Sequence, residues 1–330
     1  MRCLVTSARP YDQQFLSAAN HGRHELVFVE TALSADTAFI AQGYPAICPF
    51  VDDTVDAKTL ETIARLGTRL LVLRSTGFNH VDIPAAERYD ITVMRVRDYS
   101  PYAVAEYAVG LMLTLNRHLH KAYNRVRDSN FLLDGLLGFD MHDKTVGIVG
   151  TGKIGQTVAR ILRGMGCHLL GYDTVHNPAC LELGVAYVSL EELLANSQIV
   201  SLHVPLLPET RHLMNAERIA LMPDGAMLIN TSRGPLIDTT ALIAALKSRH
   251  LGAVGLDVYE EEAELYFKDH CDDIICDDSF ERLLTFPNVI ITGHQAFFTR
   301  EAMTTIARTT IQNLDDYSDG KQSPNIIHGK

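Results

Sequence analysis

In this 330-residue chain an arginine, a histidine and a group of carboxylates each stand just past an apolar run. Thr231-Ser232-Arg233 follows Ala226–Asn230. Asp257 follows Ala253–Leu256, with Glu260, Glu261, Glu262 and Glu264 beyond it, and His294 follows Val289–Thr292. A guanidinium is a planar fork that matches a carboxylate in two places. An imidazole gives and takes protons near neutral pH. A carboxylate on its other ring nitrogen would hold the tautomer and favour the protonated ring. The combination suits hydride addition to a 2-keto acid: the guanidinium binds the acid, and the imidazolium gives the proton that the new alkoxide needs. Taken singly, each residue has a plainer reading. Arg233 can cap or salt-bridge, His294 can decorate a loop, and Asp257 can cap the next turn. Spacing does not choose among Glu260, Glu261, Glu262 and Glu264.

Such chemistry needs a hydride source, and Lys144 to Asp173 reads as its seat. The apolar run Val146–Val149 leads into Gly150-Thr151-Gly152-Lys153-Ile154-Gly155, a G-x-G-x-x-G. Ile154, Val158, Ile161 and Leu162 then recur at helical spacing, and His168–Tyr172 forms a second strand closing on Asp173. A lone G-x-G-x-x-G is an ordinary Gly-rich turn as often as not. Strand, helix, strand and acid around it make a dinucleotide fingerprint. Gly150 makes the turn, Gly152 lets a pyrophosphate approach the backbone, and Gly155 lets helix and strand pack closely. The helix start faces the phosphates with free N–H groups. Asp173 stands 18 residues after Gly155 (173 minus 155), near the ~20 expected of a ribose-binding carboxylate. It would repel a 2′-phosphate, and Thr174, Val175 and His176 bring no arginine, so NAD is favoured over NADP.

The elements that must position these groups follow from the same rhythm. Residues 145–296 alternate strand and helix: strands at 186–188, 199–203, 226–230, 253–256 and 289–292, helices at 190–196, 216–221 and 239–248, and a long acidic loop before the last strand. In a parallel sheet the carboxyl ends share one edge, which also carries the glycine turn. Arg233, His294 and the carboxylates should therefore meet beside the nicotinamide, a shared placement that favours a catalytic group over the plainer readings. Residues 1–99 repeat the pattern on a smaller scale, with strands at 3–6, 26–29, 46–48, 70–73 and 92–96. There Arg74-Ser75-Thr76-Gly77 follows the fourth strand, as a ligand loop or as a plain turn. A long apolar helix is expected from Pro101 to about His120, too broadly apolar for one stripe and so deeply buried or shared with another subunit. The last helix, from Arg300 to about Tyr317, has no strand of its own in the second unit. It is expected to cross back, giving a discontinuous domain of 1–100 with 298–330 around an NAD-binding domain of 101–297. The polar tail is expected to pack loosely.

Bulk properties narrow the class. Apolar residues make up 47% of the chain, enough for full cores. No stretch approaches the ~18 apolar residues of a membrane span. The opening MRCLVTSARPYDQQ has no signal-like apolar core, so a cytoplasmic location is expected. The net charge is −11, and Asp257 to Glu281 alone carries eleven acids against one lysine, which opposes nucleic-acid binding there. The six cysteines form no C-x-x-C pair. Cys3, Cys48 and Cys167 read as core residues, and His270, Cys271 and Cys276 lack a four-ligand metal spacing, so no metal is expected.

On LRSTGFNHVD (73–82), DYSPYAVAEYAVGLML (98–113), VGIVGTGKIG (146–155), NTSRGPLID (230–238), GLDVYEEE (255–262) and ITGHQAFFT (291–299), the chain resembles the D-2-hydroxyacid dehydrogenases. Within them it is most similar to the fermentative D-lactate dehydrogenases, through the DVYE-x-E and GH-x-AF patterns. The resemblance implies two doubly wound α/β domains with parallel sheets, a Rossmann NAD domain and a smaller flavodoxin-like substrate domain. It implies Arg233 as substrate clamp and picks Glu262, paired with His294, as the catalytic carboxylate. It implies substrate contacts at Thr76, Gly77, Tyr99 and Phe298, with Phe50 as a lid. Cofactor positions map to the glycine turn, Thr151, Lys153, Ile154, Asp173, Val204, Pro205, Thr210, Thr231 and Ser232, with Asp257 supporting the site and reaching the cofactor region. The implied partners are a small 2-keto or 2-hydroxy acid and a second subunit docked through the NAD domain, with a tetramer left open. Pyruvate reduction to D-lactate is the expected reaction. The alternatives are another 2-keto acid, branched or aromatic, and an NAD(H)-sensing transcriptional corepressor of the same fold.

Overall fold

The structure is a computed structural model and describes residues 1–329, without the side chain of Glu264. The chain divides into two compact units, Met1–Ser100 with Phe298–Lys330, and Pro101–Phe297.

The smaller unit holds a five-stranded sheet of β1 (Arg2–Val5), β2 (Glu25–Phe28), β3 (Ala46–Cys48), β4 (Leu70–Val72) and β5 (Thr92–Met94). All pairs are parallel, in the order β2-β1-β3-β4-β5, the flavodoxin-like arrangement. β3 and β4 are buried throughout, which is why they read as unbroken apolar runs rather than alternation. One face is covered by the helices Ala57–Arg65 and Ile83–Arg88, through Leu60, Ile63, Ile83 and Ala86. The other carries Ala307, Ile311 and Leu314 of the last helix, Arg300–Ser318, against Cys3, Val5, Val72 and Met94. That helix also packs on Pro10–Asn20. The polar tail is not loose. Arg95 N–H donates to Asn325 O at 3.0 Å and Ile327 N–H to Val93 O at 2.9 Å, so the chain end runs antiparallel along the exposed edge of β5. An edge strand's free backbone groups supply bonds that side-chain composition does not announce.

The larger unit holds seven parallel strands: β6 (Thr145–Val149), β7 (His168–Tyr172), β8 (Ala186–Tyr187), β9 (Ile199–Leu202), β10 (Ala226–Asn230), β11 (Leu251–Leu256) and β12 (Val289–Ile291). Their order is β12-β11-β10-β9-β6-β7-β8. The order reverses between β6 and β9, the crevice where such sheets take ligands. The broad apolar surface of the helix Pro101–Asn116 is consumed inside this unit: it packs on the helix Lys153–Gly164 and on β10 and β11. The helix does not run on to His120. It ends at Asn116, His118 takes a left-handed φ of 51°, and a second helix runs Leu119–Arg127. The acidic stretch is not all loop. Asp277 caps the helix Asp278–Leu284 through Ser279 and Phe280 N–H, and Phe280 and Leu283 are buried. Burying each contributes on the order of 2 kcal/mol. Their single i, i+3 pair is hidden in the sequence by the density of charge. Among the described residues no helix is long and apolar enough to cross a membrane.

Candidate active site

The glycine turn has the geometry its spacing implies. Gly150 has φ 94°. A Cβ on Gly155 would lie 1.9 Å from Gly150 O, so the helix start rests directly on the turn, whereas a Cβ on Gly152 would meet nothing within 4 Å. That open space over a helix N-terminus is the kind a pyrophosphate fills. Lys153 and Ile154 open this helix. Asp173, past the end of β7, accepts from Thr151 N–H at 2.6 Å and from the Thr151 hydroxyl at 3.2 Å. Tyr187 O–H donates to the same hydroxyl at 2.7 Å, and the His176 ring stacks on Tyr187 at 4.1 Å. The acid is thus held at the lip of the turn.

Next to β6, β9 ends at His203-Val204-Pro205. Ser232 O–H donates to Val204 O at 2.6 Å, and Thr210 O–H to Pro205 O at 2.7 Å, so both hydroxyls brace this loop. Thr231 Oγ1 is buried with no hydrogen-bond partner among the described residues, a donor-acceptor of the sort a bound carboxamide satisfies. An open cradle, a carboxylate at its lip and a buried hydroxyl on one sheet edge fit a nicotinamide dinucleotide.

The neighbouring strands supply the chemistry. Asn230 pairs with Leu256, and Leu256 with Ile291, so the ends of β10, β11 and β12 lie side by side, about 5 Å apart per strand. Arg233, the Asp257–Glu262 segment and His294 follow those ends. The Asn230 side chain, fully buried, shapes the first turn: it accepts from Ser232 N–H at 3.0 Å and donates to Arg233 O at 2.8 Å. The Arg233 guanidinium donates to Ser232 O at 2.6 Å and has no carboxylate partner among the described residues. Asp257, also fully buried, carries the third turn. Its carboxylate accepts from the Thr292 hydroxyl (2.6 Å), Gln295 N–H (2.9 Å) and Ala296 N–H (2.8 Å), while its carbonyl accepts from His294 N–H (2.8 Å). Burial pushes its carboxyl up, and these donors work against the rise. His294 itself sits at φ 52°, a strained setting for a non-glycine residue that such bonds sustain.

Of the carboxylates left open by spacing, Glu262 faces the ring, with Oε1 3.0 Å from His294 Nδ1. Glu260 turns away to His212 and Thr239, and Glu261 is exposed. The side chain of Glu264 lies outside the described residues. Cys271 and Cys276 are exposed free thiols, and no metal-ligand cluster occurs among the described residues.

In the smaller unit Phe50, Thr76, Gly77 and Tyr99 follow the carboxyl ends of β3, β4 and β5. Phe50 is buried, with the Arg74 guanidinium 4.7 Å above its ring. Thr76 O accepts from Arg95 at 3.0 Å, and Gly77 O from the Ser75 hydroxyl at 2.7 Å. Phe298 is half exposed and lies edge-on to Tyr11 at 4.8 Å. Arg74 was not singled out by itself, yet it is a fully buried hub, bonding Asp12, Cys48 O, Thr6 O and Ser7 O. Asn230 was missed too. Its signal was a lone amide closing an otherwise apolar strand.

Residues 109–296 match the NAD-binding domain of the D-isomer specific 2-hydroxyacid dehydrogenases. The D-lactate dehydrogenase of Escherichia coli K12 is 47% identical over 328 residues, covering 99% of this chain and 100% of that one. This chain belongs to the D-isomer specific 2-hydroxyacid dehydrogenase family. The dehydrogenase is also similar to the solved structure described as the pyruvate reductase of Chlamydomonas reinhardtii, with TM-score 0.94, 47% identity and 98% of each chain covered. The D-lactate dehydrogenase of Aquifex aeolicus, complexed with NAD and lactic acid, superposes with TM-score 0.89 at 33% identity, over 99% of each chain. The dehydrogenase is an NAD-dependent oxidoreductase acting on a 2-hydroxy acid.

Proposed function

We propose that this dehydrogenase reduces pyruvate to D-lactate. The observation that carries the proposal is a half-buried guanidinium without a carboxylate partner among the described residues, two strands from a His294–Glu262 pair on one sheet edge. Arg233 binds the carboxylate of the keto acid in two places. Glu262 accepts the Nδ1–H of His294, which leaves Nε2 to carry the proton toward the carbonyl oxygen. When bound, the reduced nicotinamide supplies the hydride that adds to the keto carbon. His294 gives its Nε2 proton to the oxygen, and Glu262 compensates the imidazolium charge before that transfer. In the reverse direction the same ring takes the hydroxyl proton. Thr76, Gly77, Tyr99, Phe50 and Phe298, on the smaller unit, stay candidates for substrate contact. The names of the Escherichia coli and Chlamydomonas relatives favour pyruvate over larger acids.

A homodimer formed through the NAD-binding unit goes with this reading. Beyond the buried helix Pro101–Asn116, the stretch that follows leaves Tyr123, Phe131, Leu132, Leu133 and Leu137 exposed, large apolar side chains of the kind that cluster at interaction surfaces. A cytoplasmic location suits six free thiols. The test is a panel of straight and branched 2-keto acids with NADH, with chiral analysis of the product and the particle mass from light scattering. Pyruvate should lead the panel and give D-lactate; a branched acid at ten times the kcat/KM of pyruvate, or an L product, would refute it.

A further inference from the structure

Four glutamates crowd one short stretch, and two of them, Glu260 and Glu262, leave the backbone in opposite directions. Between them and Gly234 lies the backbone of Tyr259. Tyr259 N–H donates to Glu262 Oε2 at 3.0 Å, fixing the oxygen that His294 does not use. The next peptide, Tyr259–Glu260, abuts Gly234 through its carbonyl. A Cβ there would stand 1.9 Å from Tyr259 O and 2.5 Å from Glu260 N. So the unit formed by the Tyr259 backbone touches the residue after Arg233 through its carbonyl and the carboxylate facing His294 through its N–H.

The Glu260 side chain pins that unit from behind. Its Oε2 accepts from Thr239 N–H (3.2 Å) and the Thr239 hydroxyl (2.9 Å) at the start of the helix Thr239–Lys247. Its Oε1 accepts from His212 Nε2 (2.5 Å) and Arg211 (3.4 Å). His212 N–H in turn donates to Pro235 O at 2.8 Å, one residue past Gly234. The contacts close a ring through Gly234-Pro235, His212, Glu260 and Tyr259; Arg233 adjoins it at Gly234, and the Glu262–His294 pair branches from Tyr259. Burial alone would raise the Glu260 carboxyl, but the His212 and Thr239 donors outweigh it and hold it below the ordinary range, so the anion is kept through neutral pH.

We propose that Glu260 is a positioning residue for the reaction: by locking the Tyr259–Glu260 peptide against Gly234, it sets the distance between Arg233 and the Glu262–His294 pair. That role rests on the catalytic assignment made above for Arg233, Glu262 and His294. It is distinct from helix capping at Thr239, which would affect stability without moving the chemistry. Displacing a catalytic group by about 1 Å can cost roughly 100-fold in rate.

The test compares Glu260→Ala, Glu260→Gln and His212→Ala with the unaltered enzyme, in keto-acid reduction by NADH across pH 5–9 (chosen assay range), with NADH affinity from fluorescence and Tm alongside. In Glu260→Ala, kcat/KM for the keto acid should fall at least ~10-fold. The upper pH limb should move to lower pH, because Glu262 is no longer held on the ring, and NADH affinity should stay within about twofold. Glu260→Gln keeps length and one acceptor, and should recover most of the rate. His212→Ala, which leaves the Glu260 backbone untouched, should move the limb the same way. If Glu260→Ala does not fold, His212→Ala and Glu260→Gln decide. Wild-type kcat/KM with an unmoved limb in Glu260→Ala, or in His212→Ala where the former is insoluble, overturns the role whatever happens to Tm. Full activity in His294→Gln would instead bring down the catalytic assignment beneath it.

Discussion

His294 Nδ1 lies 3.0 Å from Glu262 Oε1, and neither side chain is more than a quarter exposed. The partial burial matters because a carboxylate in such a setting acts on the ring's charge more strongly than it would in open water. Glu262→Gln keeps the shape and a hydrogen-bond acceptor while removing the charge. We expect the upper limb of keto-acid reduction to move to lower pH and kcat/KM to drop roughly 100-fold, a usual size for loss of acid–base support. The measurement is a pH–rate profile on matched preparations, and an unmoved upper limb would assign the task to another carboxylate.

Arg233→Gln removes the fork proposed to meet the substrate acid. A charge-assisted bidentate contact is worth about 3 kcal/mol, so kcat/KM for the keto acid should fall on the order of 100-fold. NADH affinity should hold. Arg233→Lys should recover little, since an ammonium cannot reproduce two parallel bonds. Near-wild-type kcat/KM in the Gln variant counts against the clamp.

Asp173→Ala should narrow the preference for NADH over NADPH, through loss of a negative charge where a 2′-phosphate would sit. Asp173 also holds Thr151 N–H, so NADH affinity should weaken as well. The comparison is kcat/KM for the two cofactors at saturating keto acid. An equal ratio before and after the change shows that a different group discriminates.

Two histidines away from the His294–Glu262 pair bear on acid stability. Burial pushes His203, bonded to the Ser201 hydroxyl, and His80 down to about 4 from 6.5. Their folded-state values are depressed, so the unfolded chain takes up their protons first. The stability they permit is complete above pH ~6.5 and is lost as pH falls toward 4, at up to about 1.4 kcal/mol per pH unit for each. Urea melts at several pH values should show that slope, and His203→Gln should flatten it in the larger unit. Equal slopes for the two proteins would show that His203 is not buried in the neutral form.

By itself the sequence determined the two parallel-sheet units, the glycine turn with Asp173, and the presence of Arg233, His294 and an acid past adjacent strands. These are local or periodic facts: a strand buried on both faces must be apolar along its length, and a pyrophosphate needs glycine where a Cβ would intrude. It also exposed the last helix as one helix too many for the second unit, because a helix without a partnering strand shows in the pattern. The family resemblance pointed to Glu262, but only the tertiary structure shows which glutamate faces which partner. Glu260, Glu261 and Glu262 are alike in type and consecutive in order, and no local rule separates them. The loop's path does, sending Glu262 to a ring 32 residues away and Glu260 to His212 and Thr239. The same holds for Asp257, whose carboxylate grips the His294 turn, and for the tail along β5, whose bonds are to backbone. Such partners are set by where the chain returns in space, and the side chains of a short acidic stretch carry no record of that.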